Sequence, residues 1–276
     1  ETFKKMQQSG HFLPGVTMMA AAKYLYQFVD EGLGMGAGNE LCSVGHAKIT
    51  LTLSSGRLSP SENELSELIS KAHSQQFPVA IHAVEAEALK AAVNALESAT
   101  PLTTRTRTDR IEHCSECPDA LLPRIARLGV TVVTNPGFLY LSGDRYLAET
   151  KKDRVPWLYR MRSLIEAGIP VAAGSDAPVT DPNPMTGIYS AVTRRSQGGN
   201  EVNTEERLGL EQALTMHSRP VDGKGRENLR ARQVDDKFIP ADLVLMDRPL
   251  NENEPEEILK TKVAMTIRGG EVVYEA

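Results

Sequence analysis

Three apolar runs in this 276-residue chain each end on a side chain that can bind a metal: Val79-Ala80-Ile81-His82, Arg110-Ile111-Glu112-His113 and Val171-Ala172-Ala173-Gly174-Ser175-Asp176. His82 and His113 are 31 positions apart, and His113 and Asp176 are 63 apart, matching one and then two strand-plus-helix units. Lys48 stands 34 positions before His82, at the head of a further apolar run, Ile49-Thr50-Leu51-Thr52-Leu53. Few folds satisfy such spacing. In a β/α barrel all parallel strands end on the same face, and their terminal side chains converge on one site. No His-x-His pair occurs anywhere in the chain.

The intervening segments read as helices. Ser59 is placed to cap a helix over Pro60 to Gln76, with Pro60 at its first position, Glu62 completing a capping box and Leu65, Leu68, Ile69 and Ala72 as its apolar stripe. Strand Val79–His82 precedes a helix from Glu85 to Glu97, and strand Arg110–His113 precedes one from Asp119 to Leu128. Strand Val130–Thr134 leads through a long loop to a helix Trp157–Ala167. Strand Val171–Gly174 is followed by helices around Gly187–Arg195 and Glu205–Met216. Strands alternating with helices in this way predict a parallel α/β unit. With Val16–Ala20 included, the parallel strands number six where a closed barrel has eight, so the pattern reads as a (β/α)8 TIM-like barrel lacking its N-terminal strands. The chain also begins at Glu1 rather than Met, which reads as a piece of a longer protein and leaves a signal peptide open. After a charged, glycine-containing stretch the pattern becomes β-only, with a hairpin signal at Arg268-Gly269-Gly270. The expected division is residues 1–225 as a partial barrel and 226–276 as part of a small β domain.

Composition removes several classes of function. With 31 basic and 36 acidic residues the net charge is −5, and Arg105, Arg107 and Arg110 are the nearest approach to a basic cluster. Nucleic acid and anionic membranes are therefore poor partners. No apolar run approaches the ~18 residues of a membrane span. Gly32 to Gly38 is glycine-rich but lacks the Gly-Lys-Ser/Thr ending of a phosphate loop. Three cysteines, Cys42, Cys114 and Cys117, make no disulfide framework and suit a reducing, cytoplasmic setting. Cys114-x-x-Cys117 lacks the second pair that a structural zinc site requires.

Imidazole nitrogen and carboxylate oxygen are ligands for zinc and similar ions, which make water a nucleophile at neutral pH. A carboxylate beside that water can take its proton and deliver it to a leaving group, and Asp176, with small Gly174 and Ser175 before it, has room for both tasks. An ordinary lysine is cationic near pKa 10.4 and cannot bind a metal. Were Lys48 to add CO2 it would become an anion able to bridge two ions; otherwise it is a charged residue at a strand entrance. One strand-end histidine is by itself an unremarkable core residue, whereas two of them one unit apart, with an aspartate two units on, favour a ligand set. His11, His73 and His217 lack that setting: His73 reads as solvated, and His217 as a cation closing a helix. His46, two residues before Lys48, stays open as a ligand. No Gly-x-Ser-x-Gly elbow supports serine chemistry.

From about Lys48 to the C-terminus the sequence resembles the amidohydrolase superfamily, in the branch called amidohydrolase family 3. The resemblance is carried by Arg110-Ile111-Glu112-His113, Arg127-Leu128-Gly129-Val130, Ala167-Gly168-Ile169-Pro170, Gly174-Ser175-Asp176-Ala177-Pro178-Val179, Asn183-Pro184-Met185-Thr186-Gly187-Ile188-Tyr189 and Ala241-Asp242-Leu243-Val244, in that order. It implies a (β/α)8 barrel with a small β-sandwich. His82 and His113 would be metal ligands from strands five and six, Asp176 the strand-eight ligand and general base, and Lys48 the residue that in many relatives carries a bridging carbamate. It further implies hydrolysis of amide, cyclic amide or urea-like C–N bonds of a small-molecule substrate with one or two divalent ions, usually zinc. The paired strand-one histidines of the family have no counterpart here, and the Asp-Gly-Ser that commonly follows its lysine is replaced by Ile49-Thr50-Leu51. The expectation is thus a catalytically incomplete hydrolase, with self-association through exposed strand edges. Two alternatives stand beside it: a non-catalytic binding or assembly protein on the barrel scaffold, and an electrophile-handling protein using Cys114.

Overall fold

Parallel strands laid down in chain order build the centre of the molecule. The computed structural model describes residues 5–6, 9, 15–39, 41–99, 108–218 and 242–276. The expected division at 225/226, His11 and the Arg105 and Arg107 positions lie outside the described residues. Among those described, β1 (Val16–Ala21), β2 (Cys42–Thr50), β5 (Val79–Ala83), β6 (Arg110–His113), β7 (Thr131–Thr134) and β8 (Val171–Ala173) form one six-stranded sheet in the order β1-β2-β5-β6-β7-β8. Every pairing within it is parallel. A doubly wound sheet reverses its order at a switch point. Here the order never reverses, as in a barrel wall, although the described strands leave the sheet open.

The register explains which residues are buried and which reach the site. Ile49, Ile81, Ile111, Val132 and Val171 are successive cross-strand partners. All are at most 3 % exposed and join the apolar core. Because side chains alternate along a strand, the residues on either side of that row face the other way. They form the rows Lys48–Ala80–Arg110–Thr131 and Thr50–His82–Glu112–Val133–Ala172. At the opposite end of the sheet, Asp109 Oδ1 accepts from the Val79 backbone N–H at 2.8 Å and contacts His73 Nε2 at 3.1 Å. His73 is therefore buried and partnered, contrary to its reading as solvated.

Three local readings change. The apolar run Ile49–Leu53 is not one strand: β2 ends at Thr50, and β3 (Thr52–Ser54) turns through Ser55 and Gly56, both at positive φ, into β4 (Arg57–Ser59). Lys48 consequently lies near the C-terminal end of β2, the end that carries His82 on β5, and not at the strand's entrance. The following helix spans Glu62–Ser74, and its capping box is made by Ser61 and Glu64 rather than Ser59 and Glu62. The expected loop after β7 contains a helix, Gly137–Glu149. Its Gly143 hid the helix in the sequence, yet the position requires glycine: a Cβ there would stand 2.9 Å from Ser196 Cβ.

The remaining helices flank the sheet. Pro184–Thr193 packs against Gly137–Glu149, Leu210–Ser218 and Pro255–Lys260, and Ile258 of the last is fully buried in the core. The C-terminal strands β9 (Leu243–Met246), β10 (Val263–Arg268) and β11 (Glu271–Glu275) form a separate antiparallel sheet in the order β11-β10-β9. Its hairpin places Gly269 and Gly270 at positive φ, as the sequence requires.

Arg194 ends the helix Pro184–Thr193 and is fully buried. Its guanidinium donates to the carbonyls of Val202 at 2.8 Å, Tyr159 at 2.8 Å and Leu158 at 2.9 Å. Tyr159 itself has φ of 46°, so this staple holds a left-handed turn in place. Arg194→Met removes the guanidinium donors of the Val202 and Leu158 carbonyls, while the Tyr159 carbonyl keeps the Met161 N–H at 2.8 Å, and at about 1–3 kcal/mol for each unsatisfied group the stability should fall by on the order of 3 kcal/mol. Urea unfolding measures this as a lower midpoint; an unchanged midpoint would show that the staple is dispensable.

Candidate metal centre

His82 and Glu112 are cross-strand partners, so His82 lies on the polar face of the sheet. His113 follows Glu112, and simple alternation would send it into the apolar side. It does not go there. With φ of 70° at His113 and 50° at Cys114, the backbone leaves β geometry at the strand's last residue. The His113 ring instead meets that of His82 edge-on, with centroids 4.4 Å apart. A non-glycine residue at positive φ costs free energy and persists only where its surroundings hold it.

Those surroundings are visible. His113 Nδ1 lies 2.7 Å from Asn135 Oδ1, and Asn135 Nδ2 donates to the Gly174 carbonyl at 2.9 Å. Phe138 lies nearly parallel to the His113 ring, 6.5 Å between centroids, and Tyr159 meets Phe138 edge-on. Burial, aided by His113 and the Lys48 cation and opposed by Asp176, pulls His82 down to about 4. It is therefore neutral at physiological pH, the form that binds metals.

Lys48 is half-buried on the same face. Burial pushes its amine below the usual lysine range; Glu112 and Asp176 oppose this and Arg110 reinforces it. Arg110 and Glu112 are both buried and form an ion pair at 2.8 Å. Asp176 lies two residues past Gly174, exposed, with φ of 61°. The structure thus brings His82 and His113 into contact, sets Lys48 within their electrostatic reach, and leaves Asp176 at the mouth. Among the described residues, no three His, Cys, Asp or Glu side chains cluster tightly enough to hold a metal ion.

The donor chemistry nonetheless fits a divalent cation. Two imidazoles at adjacent strand ends, one held neutral by burial, match the nitrogen ligands such ions take. The other candidates fall away. His46 is buried, with Nε2 3.0 Å from the Thr108 carbonyl oxygen. His217 lies 2.8 Å through Nδ1 from the Ala213 carbonyl oxygen, and burial pulls its pKa down, so it is not the expected helix-closing cation. Hydrogen bonding with Cys117 and burial push the Cys114 thiol up, which removes the thiolate that an electrophile-handling cysteine needs. A cavity of about 670 Å³ lies at the Lys48 side, lined by Lys23, Lys48, Thr50, Glu64 and Lys71 among others. A smaller one of about 230 Å³ adjoins the end of β8, lined in part by Gly174, Ser175, Asn183 and His217.

Sequence reasoning gave no role to Arg110, Glu112 or Asn135. The first two carried a signal, charged residues alternating with Ile111 and His113 in a buried strand; Asn135, just past β7, carried none.

Known proteins resemble the chain in sequence and in fold. The chain is 28% identical over 217 residues to the putative amidohydrolase YtcJ of Bacillus subtilis (strain 168) and 25% identical over 217 residues to an N-substituted formamide deformylase of Arthrobacter pascens. Each alignment takes in 78% of this chain and 40% of the relative, so the chain spans about two fifths of their length. A solved metal-dependent hydrolase from Pyrococcus horikoshii OT3 superposes with a TM-score of 0.66 at 25% identity, over 78% of this chain and 47% of that one. The model of the amidohydrolase family matches residues 3–274, and the chain belongs to that family.

Proposed function

We propose that this chain supplies part of a metal-dependent hydrolase of C–N bonds in small molecules, including its strand-four to strand-eight region, with zinc as its ion. The observation that carries the reading is the contact between His82 and His113 at the ends of adjacent parallel strands. It is supported by family membership and by the likeness to a metal-dependent hydrolase and to a deformylase.

A divalent ion held there supplies Lewis acidity that polarises a carbonyl and lowers the pKa of water. His82 and His113 would hold it through imidazole nitrogens. Asp176, exposed at the mouth, would take a proton from the attacking water and pass it to the departing nitrogen. The Arg110–Glu112 pair fixes charge beneath the site. Lys48 has its amine pushed toward the neutral form, and only a neutral amine can attack CO2, forming an N–C bond and releasing a proton to give an anionic carbamate ligand.

The described donors are two imidazoles, one exposed carboxylate and one amine, a partial set. Weak zinc binding and slow turnover are therefore expected of this chain alone. Calorimetric titration should find binding in the parent that His82→Gln or His113→Gln each reduces at least tenfold; zinc affinity indifferent to both substitutions would overturn the reading. Carbon-13 NMR with labelled bicarbonate should show a carbamate resonance with zinc present, absent in Lys48→Met. Were it equally present in that variant, Lys48 would not be its carrier. His82 should also remain neutral in the metal-free protein as pH falls, until about 4. An unfolded histidine titrates near 6.5, so the unfolded chain binds the extra proton first. Stability contributed by neutral His82 is complete above that value and declines as pH falls from 6.5 toward 4. Histidine titration by NMR checks the point, and His82 protonating near 6.5 would refute it.

A further inference from the structure

Asn135 contributes no candidate ligand, yet it is only 4 % exposed and joins two strand ends of the site. The hydrogen-bond logic there allows one solution. A backbone carbonyl can only accept, so the group facing Gly174 O at 2.9 Å is the amide NH2 of Asn135. That fixes the side chain, and its oxygen must face His113. An amide oxygen also only accepts, so His113 Nδ1, 2.7 Å away, must carry the proton. In the neutral ring the other nitrogen, Nε2, then holds the lone pair. The Gly174 carbonyl thereby determines, through one amide, which nitrogen of a histidine on β6 is free to bind.

We propose that Asn135 is a positioning residue that locks His113 in the Nδ1-protonated tautomer and aims Nε2 as the donor, while tying β8, and with it Asp176, to the same reference point. Three features converge on it. His113 sits at φ of 70°, a conformation that needs outside support, and Asn135 supplies a short buried bond to that side chain. The Gly174 N–H donates to the Thr134 carbonyl at 2.9 Å, so the backbone on both sides of Asn135 is paired and the amide has little freedom to turn. Phe138, one turn further along the chain, flanks the ring. Partners behind a ligating histidine typically change metal affinity by about 10–100-fold when removed.

This inference rests on the proposed metal-binding reading for its consequence, but its first test needs no metal. In the metal-free protein labelled with ¹⁵N-histidine, long-range proton–nitrogen correlation at pH about 8.5, two units above the ordinary imidazole value of about 6.5, should show His113 protonated on Nδ1 alone. Its resonances are assigned by their loss in His113→Gln. A proton on Nε2, or a mixture of tautomers, overturns the proposal, and this measurement depends on no variant at position 135. Asn135→Leu should release a mixture of tautomers and weaken zinc binding by about 10–100-fold. Asn135→Asp keeps an acceptor for Nδ1–H, and should restore the single tautomer and most of the affinity. If Asn135→Leu keeps the pure Nδ1–H form, Asn135 does not set it. If the parent shows the expected tautomer but binds no zinc, the positioning stands and the metal reading fails. If it binds zinc through His113 with the other tautomer, the reverse holds.

Discussion

The left-handed backbone at His113 is the constraint on which the site depends. Adjacent residues on a strand point to opposite faces, so a regular β6 could give the polar face either Glu112 or His113, not both. By breaking β geometry at its last residue, the chain keeps Glu112 inside to pair with Arg110 and still brings the His113 ring against His82. Non-glycine residues at positive φ cluster where function demands them, and Asp176 repeats the device at the end of β8.

That strain is carried by a shell built from segments far apart in sequence. Asn135 follows β7 and Phe138 lies in the first turn of the next helix. Tyr159 packs on Phe138 and is stapled by Arg194 from beyond β8. Each of these groups is buried or partly buried, and each contacts the next. The arrangement follows the general expectation that ligand geometry is held by the groups behind the ligands, and here it passes through aromatic packing as much as through hydrogen bonds.

How much of this the sequence reveals depends on the range of the interaction. Strand-end histidines announce themselves because their signal is local: an apolar run, one polar residue, a helix, and a repeat at constant spacing. Sequential strand order follows from the same repeat. Lys48 was placed on the right strand but at the wrong end, because Ile49 to Leu53 alternates as a strand would, while the break after Thr50 comes from the hairpin that follows. The helix Gly137–Glu149 is hidden because its Gly143 serves close packing against Ser196 and carries no local helix preference. His73 looked solvated among polar neighbours, but its partner Asp109 is 36 residues away. Asn135 is the extreme case: its importance lies in two contacts, 22 and 39 residues distant, that no local pattern encodes.

Asp109 bears on the site from the far end of the sheet. One oxygen of its carboxylate, Oδ1, touches both the first residue of β5 and a helix before it. A parallel strand displaced by one position reverses every side chain it carries. Such a slip in β5 would turn Ile81 toward the polar face and drive His82 into the apolar layer. Asp109 therefore acts as an index mark, setting the phase of β5 against β6 at the end remote from any chemistry. The accuracy with which two imidazoles meet is in this sense calibrated at the foot of the sheet, and only displayed at its top.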